Sequence, residues 1–169
     1  TVAQSGIAAE VYVGRTAELI AAADACLACS GSVSLELLYH AKPSVIHYRI
    51  GRTAYFLQQF FRKVRYITLV NLLSTDDPFA GFPAGVYDPA DARDRHVLMP
   101  EYLTCTDKTE ALAGHIIDWL SDEAAHRQQV ARLVRLRDRV ARGGASERAA
   151  EYLGTVLGGE LTERDAEAA

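Results

Sequence analysis

The 169-residue sequence predicts an α/β fold, a parallel sheet with helices on both faces and a helical segment at the carboxyl end. Three observations predict it. Short apolar or β-branched runs alternate with segments of helical period, the strand–helix–strand order that builds parallel sheets. The run Ala25–Cys29 is apolar throughout, as strands covered on both faces are. From Thr106 onward the pattern turns to helices, with Leu112, Ile116, Ile117 and Leu120 at helical spacing. Apolar residues make up 49%, so a chain of this length buries a substantial core, and residues 1–157 are expected to form one domain.

Taken in order, Ala8–Val13 reads as a short strand ended by Gly14. Thr16 is placed to cap a helix through about Ala23, with Leu19 and Ile20 as its apolar contacts. The strand Ala25–Cys29 runs into a Ser30-Gly31-Ser32 turn, and a helix Ser34–His40 follows. Lys42-Pro43 closes that helix, because proline disfavours helix before it. Ser44–Tyr48 is a β-branched strand and Gly51–Val64 a helix crowded with Tyr55, Phe56, Phe60 and Phe61. Tyr66–Val70 reads as a further strand, ending at Asn71. Turn signals such as Asp76-Asp77-Pro78, Gly81-Phe82-Pro83 and Asp88-Pro89 fill 74–96, the expectation being a mobile surface loop. Thr106 or Asp107 caps a helix through Leu120, and a charged helix spans Asp122–Arg142. Gly143-Gly144 breaks it, Ser146 caps a last helix to Leu157, and the acidic stretch 158–169 is expected to be a disordered tail.

In parallel sheets ligands collect beyond the carboxyl ends of the strands. Ser30, Tyr48-Arg49 and Asn71 each stand at such an end, which points to one shared site. The Ser30-Gly31-Ser32 turn suits an anion, since the first helical amides lack internal partners and the helix dipole adds positive charge. Gly31 lets a bulky ligand approach the backbone. Glu36, one turn into the helix, is placed to accept hydrogen bonds from sugar hydroxyls. The same residues also read as a plain N-cap with an early glutamate as dipole partner, and spacing leaves both readings open.

The net charge of −4 is unevenly spread. From Leu37 to Thr75 there is no Asp or Glu, whereas Lys42, Arg49, Arg52, Arg62, Lys63 and Arg65 give +6, so the remainder carries −10. Such a patch suits a diphosphate, an anionic lipid surface or nucleic acid. The aromatic helix 51–64 reads either as a core helix whose terminal cations complement its dipole or as a surface resting on a bilayer. Cys26 and Cys29 fall on opposite faces of a strand and read as small hydrophobes rather than a metal or disulfide pair, a pattern at home in a reducing compartment. The five histidines have no ligand spacing, and no metal signature appears. No apolar run is long enough to span a bilayer. The opening residues lack the pattern of a signal peptide and an initiator Met, so the chain is expected to begin inside a longer protein.

Ala22 to Glu36, then Lys42-Pro43-Ser44-Val45-Ile46-His47-Tyr48-Arg49, then Tyr66 to Leu73 with Asn71-Leu72-Leu73, resemble lipid-A-disaccharide synthases in order and spacing. Leu98 to Leu103 rejoins that pattern after the apparent insertion at 74–96. Two departures stand out: Ser32 where the family has Thr, and Val70 where it has Pro. The resemblance implies the Rossmann-like, donor-binding half of a B-fold (GT-B) glycosyltransferase that moves diacylglucosamine from UDP to diacylglucosamine 1-phosphate, with inversion. It implies that Ser30, Gly31 and Ser32 meet the diphosphate, that Glu36 meets the ribose and that Tyr48 lies near the donor. Arg49 and Asn71 become the catalytic candidates, Arg49 by neutralising charge on the leaving UDP. It further implies no cofactor beyond the UDP-sugar, no metal and no nucleic acid, and a cytoplasmic setting at the surface of an anionic inner membrane. A homodimer is left open. A preceding amino-terminal domain would supply the acceptor site and a carboxylate base, so this stretch alone is expected not to catalyse transfer. Two other readings stay open: another UDP-sugar enzyme of the same fold, such as an epimerase or a peptidoglycan glucosaminyltransferase, and a non-catalytic α/β module binding a membrane or partner.

Overall fold

A computed structural model describes residues 6–29, 31–75, 77, 87–140 and 144–167. The chain divides into two compact units, 1–137 and 138–169. The first is built on three strands, β1 (Cys26–Ala28), β2 (Ser44–Arg49) and β3 (Glu101–Thr104), in the order β1-β2-β3 and all parallel. Helix α1 (Thr16–Ala22) precedes β1, and α2 (Val33–Tyr39) joins β1 to β2. Helices α3 (Arg52–Phe61) and α4 (Leu69–Ser74) lie between β2 and β3, while α5 (Thr109–Ser121) and α6 (Glu123–Val140) follow β3. This is the α/β, Rossmann-like class that the alternation of patterns predicts.

The register fixes which residues share a face. His47 pairs with Tyr102 and Arg49 with Thr104, and Val45 and Tyr102 pack with Leu112 of α5. Alternation along the strands then puts Val45, His47, Arg49, Tyr102 and Thr104 on the α5 face. Ile46, Tyr48, Glu101 and Leu103 face the other way, where Glu101 meets Thr68 and Asn71 of the α4 region.

Helix ends are secured by specific contacts. At the end of α2 the Ala41 amide donates to Leu38 and the Lys42 amide to Leu37, both at 2.9 Å, with Ala41 in the left-handed region at φ 50°. That is a Schellman closure. Lys42 then turns its ammonium onto the carbonyls of Ala21 (2.9 Å) and Ala23 (2.8 Å), a cation at the carboxyl end of α1. Helix α6 crosses the amino edge of the sheet. His126 lies 3.1 Å from the Asp24 carbonyl before β1, Arg137 donates to Tyr39 before β2, and Gln129 and Arg132 donate to Leu98 and Val97 before β3. Gln129, Leu133 and Leu136 are the α6 residues this buries.

Several expectations are corrected. Ala8–Val13 forms no strand; Val11 and Val13 stand in solvent, 74% and 92% exposed, with no neighbouring strand to pair with among the described residues. Thr16 begins α1, after Arg15, rather than capping it. Tyr66–Val70 is not a strand, because the amides of Ile67 (2.6 Å) and Thr68 (3.0 Å) donate to the Glu101 carboxylate instead of to a ladder, and the chain turns into α4. Glu101–Thr104, not recognised from sequence, supplies the third strand instead. Residues 87–96 are no loose loop: Asp94 is buried against Arg65 and Tyr66. Residues 76 and 78–86 of the apparent insertion lie outside the described residues.

The second unit carries α7 (Ala145–Glu167), which follows Gly144 at φ 78°. Ser146 lies within this helix rather than capping it, and the acidic stretch expected to be a loose tail continues as helix through Glu167.

Candidate functional site

The parallel sheet gathers three segments at its carboxyl edge: the turn after β1, the end of β2 and the 105–108 loop after β3. Ala28, the last residue of β1, is level with Ile46 of β2. Ser30 lies outside the described residues. Gly31 adopts φ 144°, where a side chain is strained although a Cβ would meet nothing within 4 Å, so backbone angle rather than crowding calls for glycine. Ser32 makes no side-chain cap. The Ser34 hydroxyl and amide both donate to the Gly31 carbonyl (2.9 and 3.2 Å), and the Leu35 amide donates to Ser32 (3.0 Å). The turn therefore closes on itself in the tight 3₁₀ manner, and the Ser34 and Leu35 amides are spent inside it. Glu36 is half-buried in the first turn of α2.

Arg49 ends β2 exposed, and among the described residues it forms no ion pair. Asp107 is held below the ordinary carboxylate range by the Thr109 hydroxyl and amide, with the Arg49 and His47 charges adding to this. Tyr48, 46% exposed, points to the opposite face. Asn71 does not join them. It sits inside α4, fully buried, its Nδ2 donating to Met99 (2.7 Å) and Glu101 (3.0 Å) while its Oδ1 accepts from the Leu98 and Met99 amides (3.2 and 3.0 Å). Every polar position of that amide faces protein, so Asn71 holds the approach to β3 rather than touching a ligand.

Beside Arg49 opens a cleft of about 320 Å³ that sequence reasoning missed, lined by Tyr55, Tyr87, Asp88, Tyr102, Thr104 and Lys108 among others. Thr104 is the register partner of Arg49. Tyr87 meets Tyr102 edge-on at 5.3 Å, and the Tyr102 hydroxyl lies 2.8 Å from His115 Nε2. His115 in turn stacks on Trp119 at 6.0 Å. Burial holds His115 below the usual histidine range and pushes both tyrosines above theirs. The available signal was the run Leu98–Thr104, apolar and β-branched apart from Pro100 and Glu101.

The basic patch is smaller than its residue count. Lys42 caps α1, Arg65 is buried on Asp91 and Asp94, and Arg62 folds back onto the carbonyls of Val64 and Arg65. Arg49, Arg52 and Lys63 remain turned to solvent. Among the described residues no three His, Cys, Asp or Glu side chains gather as a metal-ligand set. Among the described residues the cysteines are free thiols, but Cys29 is exposed and Cys26 only half-buried, against the reading of the two as buried small hydrophobes, because β1 is an edge strand.

Residues 3–133 match the family model of lipid-A-disaccharide synthetase. Among curated proteins, the lipid-A-disaccharide synthase of Chromohalobacter salexigens is 28% identical over 151 residues, covering 89% of this chain and 34% of its own length. That of Alcanivorax borkumensis is 28% identical over 154 residues, 91% of this chain and 35% of the relative. That of Paramagnetospirillum magneticum is 31% identical over 131 residues, 76% and 28%. The chain thus spans about a third of the length of the curated relatives it matches. No solved structure matches it. With the family pattern running through α1, the three strands and into α6, the chain belongs to the lipid-A-disaccharide synthetase family.

Proposed function

We propose that these residues form the nucleotide-sugar side of an inverting B-fold glycosyltransferase, which moves diacylglucosamine from UDP to diacylglucosamine 1-phosphate to make the lipid A disaccharide. The observation that carries this reading is the shared carboxyl edge of a parallel sheet that holds the glycine turn, Arg49 with no ion pair among the described residues and a tyrosine-lined cleft, in a chain of this family. Ser30, Gly31 and Ser32 meet the diphosphate and Glu36 the ribose hydroxyls. With the Ser34 and Leu35 amides already used, the helix end gives less to the anion than a bare terminus, and Arg49 carries more of the load. Negative charge grows on the departing UDP in the transition state, and a fixed cation there lowers the barrier. The charge is supplied by Arg49 and not by a metal ion. Tyr48 flanks the donor, and Asn71 acts by position alone.

The acceptor site and the carboxylate base belong to residues outside this chain. The reaction takes place at the cytoplasmic face of an anionic inner membrane. Supporting the membrane contact, α3 leaves Phe56, Leu57, Phe60 and Phe61 58–74% exposed and buries none of its residues, against the core-helix reading. Among the described residues no helix is long and apolar enough to cross a membrane.

Calorimetric titration of the intact protein with UDP tests the reading. Binding that Arg49→Ala weakens by about tenfold or more is the expected result, the loss of one charge-assisted contact. No heat with UDP would leave the non-catalytic module as the better account.

A further inference from the structure

Helix α3 is apolar over much of its surface, yet it does not close on the sheet. Between it and β2–β3 lies a space of about 470 Å³, walled by Tyr48, Ile50, Ala54, Gln58, Ile67 and Leu103. Four of these side chains are aliphatic, and only the Tyr48 hydroxyl and the Gln58 amide bring polar atoms. None of the six residues is fully buried, so this is an apolar groove open to solvent, and an exposed apolar groove of this size suits an apolar guest. Ala54 and Gln58 lie one turn apart on α3, so the groove runs lengthwise beneath the helix, from Tyr48 and Ile50 at the carboxyl edge of the sheet. Two cations stand at that edge, with Asp107 of the 105–108 loop acting on Arg49 from the end of the neighbouring strand. Arg49 ends β2, Arg52 opens α3, neither has an ion-pair partner among the described residues, and no acid occurs from Leu37 to Thr75. A cationic edge above an aliphatic channel is complementary to an anionic head that carries a hydrocarbon tail.

We propose that the groove beneath α3 holds one fatty acyl chain of the donor, its anionic head resting at the Arg49–Arg52 edge. The inference rests on the donor reading above and adds to it the residues that sense the tail. Ala54 is the filter at the helix side, and Leu103 with Ile67 forms the opposite wall.

The test uses the intact protein with three probes: UDP, UDP-diacylglucosamine, and dodecyl phosphate below its micelle concentration. Ala54→Trp fills the channel from an exposed helix position. It is expected to weaken the acylated donor and dodecyl phosphate by about tenfold or more while leaving UDP within about twofold. Gln58→Leu removes the amide from the wall and is expected to strengthen both acylated probes, which a variant that merely misfolds would not do. Equal binding of UDP and UDP-diacylglucosamine by the unaltered protein, or an acylated-donor affinity that neither variant moves, overturns the proposal, including the case in which upstream residues of the protein fill the channel. Failure of UDP to bind sinks the donor reading instead, and dodecyl phosphate with its sensitivity to Ala54→Trp then decides the channel alone.

Discussion

The Arg65 guanidinium grips the Asp94 carboxylate through two bonds, Nε to Oδ1 at 2.7 Å and Nη2 to Oδ2 at 2.6 Å, with the Asp94 side chain fully buried. The Tyr66 hydroxyl (2.6 Å) and the Asp88 amide (2.8 Å) complete the carboxylate's partners. The pair ties the segment carrying Tyr87 and Asp88, two walls of the tyrosine cleft, to the stretch between α3 and α4. Asp94→Asn would leave the buried guanidinium with only Asp91 as an acid partner, at 3.0 Å, at a cost of about 3 kcal/mol. Replacing both partners together, Arg65→Met with Asp94→Leu, should cost much less, since no charge is left buried alone. Urea denaturation of the two variants beside the unaltered protein decides it; equal losses for single and double changes would refute the coupling.

The same pair sets an acid limit. Burial works to raise the Asp94 pKa, but the Arg65 and Tyr66 bonds overcome it, and Asp91 is lowered by Arg93 first and Arg65 second. Folded values below the unfolded ones mean stability that is present above the ordinary carboxylate range, near 4, and lost as pH falls through it. Glu101 works with the opposite sign: burial lifts it against four donors, so its protonation favours the fold as pH falls. The unaltered protein should therefore lose melting temperature between about pH 5 and 3, and the Arg65→Met, Asp94→Leu double variant should show a shallower fall. A double variant just as acid-sensitive would shift the cause elsewhere.

How much of this was legible in the letters depends on where each backbone finds its partners. β1, α2 and β2 announce themselves because apolar run, glycine turn and proline stop are all local signals. Tyr66–Val70 misled because its β-branched residues read as a strand, whereas its amides are claimed by a carboxylate more than thirty positions away. The charge count misled in the same way: Lys42 and Arg65 look like surface cations until α1 and Asp94 are brought against them. For the site, Gly31 and Arg49 were readable as the ends of local motifs. The tyrosine cleft was not, since Tyr55, Tyr87 and Tyr102 come from three distant stretches.

Asn71 separates a structural role from a chemical one. Its side chain serves Leu98, Met99 and Glu101 at once, so Asn71→Ala leaves several buried groups without partners, each worth about 1–3 kcal/mol. The variant should melt well below the unaltered protein yet bind UDP normally at low temperature, where it is still folded. A variant of full stability that binds UDP poorly would put Asn71 back at the donor.

Lys42 offers a matching control within the basic stretch. Its ammonium is committed to the carbonyls of Ala21 and Ala23, so Lys42→Met should cost about 1 kcal/mol of stability through the lost α1 end contacts. UDP affinity should hold, in contrast to Arg49→Ala. Parallel losses of UDP affinity in the two variants would mean the whole stretch acts as one diffuse field rather than through Arg49.

Ala41 carries a conformation that its side chain does not favour. At φ 50° it closes α2, and its methyl is 6% exposed. An L-residue in this region gives up roughly 1 kcal/mol that glycine does not. Glycine in turn forfeits about 0.8 kcal/mol of methyl burial and gains freedom in the unfolded chain. These terms nearly cancel, so Ala41→Gly should change stability by less than about 1 kcal/mol. Valine has no such offset: a branched Cβ is worst suited to positive φ, and the added methyls enter a filled site, together costing about 2 kcal/mol or more. Guanidinium midpoints for Gly, Ala and Val at this position test the order, and a Val variant as stable as the Ala protein would show that α2 does not end in the Schellman turn on which Lys42, and through it α1, depends.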